Sequence, residues 1–207
     1  RREKMNSVDN NKQHDALATW LAKTDWQVFG TLKFTDGHSI SEHKAEAIVR
    51  KFFNSLDRAY LGRNLVDAGH RLERVVFKQL GSSGSNLHFH FVAQPGVNAE
   101  QFCDAAKCAW DEASNFTVGF EHTVIERALS PTNTSGYGLH EFWRLGTDTL
   151  CLNATHMSQC HPKTKPIQKL RRLLKIQTKN DCTKERALMR VALAERRKKI
   201  AAQTATH

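Results

Sequence analysis

Leu87-His88-Phe89-His90-Phe91 is the stretch on which the reading of this chain turns. A β-strand sends successive side chains to opposite faces. The alternation therefore puts both imidazoles on one face and three large apolar groups on the other. The apolar groups ask for a covered sheet, and that packing does not need the histidines. Two neutral imidazoles side by side on a rigid strand make half of a metal site. Just upstream, Val75-Val76-Phe77-Lys78-Gln79-Leu80 reads as a second strand. The Gly81-Ser82-Ser83-Gly84-Ser85-Asn86 loop joins the two as an antiparallel hairpin, and Pro95-Gly96 ends the histidine strand.

Further upstream, residues 12–23 read as a short helix carrying Leu17, Trp20 and Leu21. Trp26 to Phe34 reads as a strand with Val28, Gly30, Leu32 and Phe34 on one face, Gly30 marking a close approach. Ser41 opens a helix whose Ala45, Ile48, Val49, Phe52, Phe53, Leu56 and Tyr60 form one apolar stripe, ended by Leu61-Gly62. Downstream, Asn98 caps a helix over 99–113 that turns Phe102, Ala106, Ala109 and Trp110 inward. Thr117 to Glu126 reads as a fourth strand, and a turn-rich segment from Ser130 to Gly136 enters a shorter helix from Tyr137 to Trp143. The order predicts an α+β fold: a central antiparallel sheet with flanking helices, its helices covering one face. Three regions are expected: a domain over 1–150, an irregular connector over 151–166, and a basic helical segment over 167–207, with helices near 167–178 and 183–202.

The net charge of +10 is concentrated at one end. From Lys163 to His207 there are fourteen Lys or Arg against three acidic residues, so residues 1–162 sum to about −1. A polyanion such as nucleic acid is the natural partner of that segment, since phosphate contacts supply most non-specific affinity. Lys169, Arg171, Arg172 and Lys175 there, and Lys33 on the first strand, are the candidate DNA contacts. A content of 40% hydrophobic residues is enough for a real core. No stretch approaches the ~20 apolar residues of a membrane span, no secretory signal is visible, and the five scattered cysteines argue for reduced thiols. A cytoplasmic location in a bacterial cell, with no membrane partner, is the expectation. Cys151, His156, Cys160 and His161 match no familiar zinc spacing. No Walker-type phosphate loop is present, so ATP-driven helicase activity is not expected in this segment.

Only two tyrosines occur. Tyr60 lies on an apolar stripe and reads as core. Tyr137 opens Tyr137-Gly138-Leu139-His140-Glu141, where helical spacing brings His140 and Glu141 to its side. A phenol flanked by an imidazole and a carboxylate, in a chain already carrying His88 and His90, is a strong chemical cluster.

With these motifs in place, residues 26–143 resemble the HUH endonuclease superfamily, in particular its single-tyrosine rolling-circle replication initiators. Phe29-Gly30-Thr31-Leu32-Lys33-Phe34 looks like the first motif, an apolar strand with a Thr-Leu-Thr-like core. His88-Phe89-His90 looks like the His-hydrophobic-His motif, and Tyr137-Gly138-Leu139-His140 like the nucleophile helix, with His140 where many members place lysine. The resemblance implies an HUH-type nuclease domain of ferredoxin-like build. It also implies nicking of single-stranded or hairpin origin DNA of a plasmid, phage or mobile element, with host helicase or polymerase as further partners. Tyr137 would attack phosphorus and His140 would assist by proton transfer or phosphate contact. His88 and His90 would hold a divalent cation, Mg²⁺ or Mn²⁺, that polarises the scissile phosphate. The resemblance offers two third ligands: Glu141, as in single-tyrosine transposases, and Gln79, where virus-type initiators carry a carboxylate. Glu141 is preferred because a carboxylate suits these ions better than an amide. A transposase of the same superfamily and a non-catalytic nucleic-acid-binding domain are the alternatives.

Overall fold

The computed structural model describes residues 7–114, 123–128 and 136–157. Four strands form one antiparallel sheet: β1 (Val28–Lys33), β2 (Glu73–Gln79), β3 (His88–Gln94) and β4 (Val124–Arg127), in the order β2-β3-β1-β4. The histidine strand β3 is interior. Its backbone bonds on both edges, which pins its register and therefore the face on which each side chain emerges. Opposite His88 stand Gln79 on β2 and Lys33 on β1; opposite His90 stand Phe77 and Thr31. Cross-strand partners share a face, so these six side chains gather on one side of the sheet.

The other side carries Val28, Leu32, Val76, Phe89 and Phe91, all buried. Two amphipathic helices cover it, α2 (Glu42–Tyr60) and α4 (Ala99–Ala113). Each begins where its sequence provides a cap: Ser41 Oγ accepts from the Lys44 N–H, and Asn98 Oδ1 accepts from the Gln101 N–H. Gly30 is dictated by this core. A Cβ there would lie 2.0 Å from the Phe91 ring, which crosses β1 at that point to meet Phe52 and Phe53.

The expectation of helices on one face is corrected. A second apolar cluster of Leu21, Trp26, Val75, Phe77, Val92, Leu139 and Phe142 lies on the histidine side. It draws on α1 (Ser7–Leu21) and on the one-turn α5 (Phe142–Leu145), which leads into a 3₁₀ turn over Gly146–Thr149. The α1 helix starts five residues earlier than the apolar pattern suggests, and α3 (Arg63–Asp67) was not foreseen. The Tyr137–Trp143 helix is also broken: residues 136–138 are helical, 139–141 turn, and α5 begins at Phe142. Leu139 must enter the second cluster while Glu141 turns back to the hairpin loop, and one straight helix cannot serve both.

The described part of the connector docks on the sheet. Residues 150–157 run along the outer edge of β2, with Cys151 N–H donating to Val76 O and paired bonds between Arg74 and His156. Of the expected fourth strand, 117–122 lie outside the described residues, and so do both basic helices. Among the described residues no helix is long and apolar enough to cross a membrane.

Candidate active site

The two imidazoles are held by different partners to one end. His88 Nδ1–H donates to Asn86 O at 2.8 Å, which leaves Nε2 a bare lone pair. His90 Nδ1 meets Thr31 Oγ1 at 2.9 Å, and its Nε2 is buried with no hydrogen-bond partner among the described residues. The ring centroids are 5.0 Å apart. Burial pushes the His90 imidazole down to about 3, and His88, His140 and Lys33 push the same way. Burial also holds His88 below its usual value, opposed by its bond to Asn86. Both rings are therefore neutral at neutral pH.

Gln79 completes this group. Its Nε2 donates to Gly138 O at 3.1 Å and to Tyr137 O at 3.4 Å. Carbonyl oxygens only accept, so the amide cannot be turned round. Its Oε1 is left buried with no partner, as His90 Nε2 is. An unpaired buried polar atom costs about 1–3 kcal/mol, and here two such atoms stand on adjacent strands of one face.

Glu141 is engaged elsewhere. Oε2 accepts from the Leu80 N–H at 2.8 Å and Oε1 from the Gly81 N–H at 2.7 Å, with the residue only 4% exposed. Arg144 Nη1 donates to Gly81 O at 2.8 Å. Glu141 and Arg144 thus clasp the loop that leads into the histidine strand. The sequence-level preference for Glu141 over Gln79 as third ligand finds both its oxygens committed to backbone amides. Among the described residues no three His, Cys, Asp or Glu side chains form a metal cage. The donors that could hold a divalent cation on this face are two imidazole nitrogens and the Gln79 amide oxygen.

Tyr137 stands over this group. Its ring centroid is 5.0 Å from those of His90 and His140 and 5.8 Å from that of Phe29, and the residue is 54% exposed. His140 Nδ1 lies 2.8 Å from Tyr137 O and 3.0 Å from Gln79 Nε2. Nδ1 stands between a carbonyl acceptor and an amide donor, and in the tautomer protonated there it donates to the carbonyl. That leaves His140 Nε2 as the basic nitrogen, 3.8 Å from Glu141 Oε1. The structure brings together His88, His90, Gln79, Tyr137, His140 and Glu141; Lys33 lies across from His88.

Lys169, Arg171, Arg172 and Lys175 lie outside the described residues, as do Cys160 and His161. Cys151 is buried and His156 pairs with the backbone of Arg74, so neither belongs to this site. Thr31 was quoted in the sequence only as part of the first-motif strand, with no role given to its hydroxyl, and the Asn86 carbonyl and Arg144 were not singled out. Thr31 was within reach of the strand period, because the residues alternating with Val28, Gly30 and Leu32 must face the histidines. The other two depend on how a loop folds. No family model, curated protein or solved structure matches the chain.

Proposed function

We propose that the chain is a metal-dependent DNA nickase and strand transferase of the HUH endonuclease type, a replication initiator of a plasmid, phage or related element. The observation that supports it most is the Tyr137 ring packed on His90, whose Nε2 has no hydrogen-bond partner among the described residues, with His88 beside it on the same face. A divalent cation bound there supplies charge neutralisation and alignment of the scissile phosphate. The donor set, neutral and rich in nitrogen, suits Mn²⁺ better than Mg²⁺. Tyr137 Oη attacks phosphorus, the bond from phosphorus to the 3′ oxygen breaks, and a 5′-phosphotyrosine and a free 3′-hydroxyl result. The phenolic proton passes to His140 Nε2, whose positive charge Glu141 stabilises, and a proton is returned to the departing 3′ oxygen. The cations after Lys163 supply affinity for the strand.

The test incubates the protein with Mn²⁺ and single strands or hairpins taken from DNA flanking its coding sequence. On a denaturing gel the wild type and Tyr60→Phe should show a shifted covalent band that Tyr137→Phe lacks. A band that persists in Tyr137→Phe overturns the assignment. Binding without any band would leave a nucleic-acid-binding domain.

A further inference from the structure

On the sheet face opposite the histidines, an open cleft of about 490 Å³ lies between α2, the start of β2 and the 153–156 segment. Its floor is a buried ion pair. The Arg74 guanidinium forks onto Asp57, Nη1 to Oδ1 at 2.8 Å and Nη2 to Oδ2 at 3.0 Å, and its Nε donates to Ala154 O at 2.9 Å. The Leu72 N–H adds a bond to Asp57 Oδ1, and the Phe53 ring lies 4.4 Å beneath the guanidinium. Among the described residues Asp57 is the one carboxylate that lines the cleft, and these bonds neutralise it and hold it rigid.

The rim is different. Arg50 and Lys51 are exposed on α2, and Arg71 reaches in from the segment before β2. The Arg71 guanidinium is aimed by bonds from Nη1 to the Val66 and His70 carbonyls, both 2.7 Å. Asp57 offsets one of the two guanidiniums beside it, Arg74 and, with Nε 3.6 Å from Oδ2, Arg71, and Lys51 Nζ donates to Ala113 O at 3.2 Å. The lining still carries a surplus of three positive charges around one opening in a region, residues 1–162, that sums to about −1. Asn54 and Asn153 add neutral polar groups, Asn153 also reaching Glu46 at the edge. The segment after Lys163 is itself strongly basic, so it is not the complement of this rim. Guanidinium groups match phosphate oxygens in geometry and charge, and the volume lies in the range of small-molecule sites.

We propose that this cleft is a second binding site, separate from the histidine face, for a phosphate group carried by a nucleotide or by a nucleic-acid strand. It stands whether or not Tyr137 is a nucleophile. The test is calorimetric titration of the full chain with deoxyadenosine monophosphate, with deoxyadenosine, and with a thymidine oligonucleotide. The monophosphate should bind and the nucleoside should not. The double substitution Arg50→Gln, Lys51→Gln should weaken monophosphate binding by about tenfold or more, with only a small fall in melting temperature, since Arg50 is exposed and Lys51 gives up a single bond to Ala113 O. Tyr137→Phe should bind as the wild type does. If the double variant also weakens the oligonucleotide, the phosphate is that of a strand; if only the monophosphate is affected, it is that of a nucleotide. Equal affinity of variant and wild type for both, or no binding of either by the wild type, overturns the proposal.

Discussion

A Cβ added at Gly138 would lie 2.6 Å from the Phe77 ring, whereas one added at Gly136 would meet nothing within 4 Å. Phe77 stands opposite His90 in the sheet, so this contact sets how closely the Tyr137 backbone approaches the histidines. Overpacking of this kind costs about 1–3 kcal/mol, and the segment has only two ways to relieve it: displace the Phe77 ring or move Tyr137 outward. Gly138→Ala is therefore expected to lower the melting temperature and to abolish covalent adduct formation, while Gly136→Ala changes neither. Thermal melts and the denaturing gel, run on both variants, check this. A fully active Gly138→Ala would mean that the close packing has no bearing on the chemistry.

At the scale of elements, the β2–β3 hairpin carries both Gln79 and the histidines, and its loop is tied down by residues some sixty positions later. Glu141 supplies both carboxylate oxygens to the loop and Arg144 a third bond. Glu141→Ala leaves two backbone amides without their acceptor, at about 1–3 kcal/mol for each that stays buried. Gln79→Ala instead removes an oxygen with no protein partner, together with an amide that donates to the Gly138 and Tyr137 carbonyls and makes no bond to the hairpin loop. The two substitutions should separate. Glu141→Ala is expected to lower stability and speed amide exchange over residues 80–87, with Mn²⁺ affinity affected only through that loosening. Gln79→Ala should also melt lower, because the Gly138 carbonyl loses its buried donor, but it should leave amide exchange over residues 80–87 unchanged and bind Mn²⁺ at least about tenfold more weakly, read from the resonance of free Mn²⁺. Equal Mn²⁺ affinity in Gln79→Ala and wild type would remove Gln79 from the ligand set.

Across the whole molecule, one ion pair joins three parts of the chain: Asp57 on α2, Arg74 on β2, and the 154 carbonyl of the segment along the sheet edge. Both side chains are almost fully buried. Removing one partner strands a buried charge and costs about 3–5 kcal/mol, whereas replacing both with apolar groups is often close to neutral. Asp57→Ala is expected to lose most of that amount in denaturant unfolding, and Asp57→Ala combined with Arg74→Met to recover a large part of it. If the double variant is no more stable than the single one, the cost lies in lost packing rather than in the unpaired guanidinium.

Much of this was open to reading along the chain. The alternation at 87–91 needs only the strand period to place two imidazoles on one face, and the stripes and caps of α2 and α4 act within a few residues of themselves. Such signals are local, and local geometry decides them. The break at 139–141 was not legible, because it arises from Leu139 packing into a cluster with Leu21 and Val92 and from Glu141 reaching Leu80 and Gly81. The choice between Glu141 and Gln79 was equally hidden: both are polar residues at plausible spacing, and the difference lies in which one distant backbone amides claim. Strand period and helical spacing alone were enough for the β2–β3 hairpin, its two-faced histidine strand and the nearness of Tyr137 to His140. The strand order and the identity of the free donors came from the fold, since a side chain's availability depends on bonds it makes to parts of the chain its own neighbourhood does not contain.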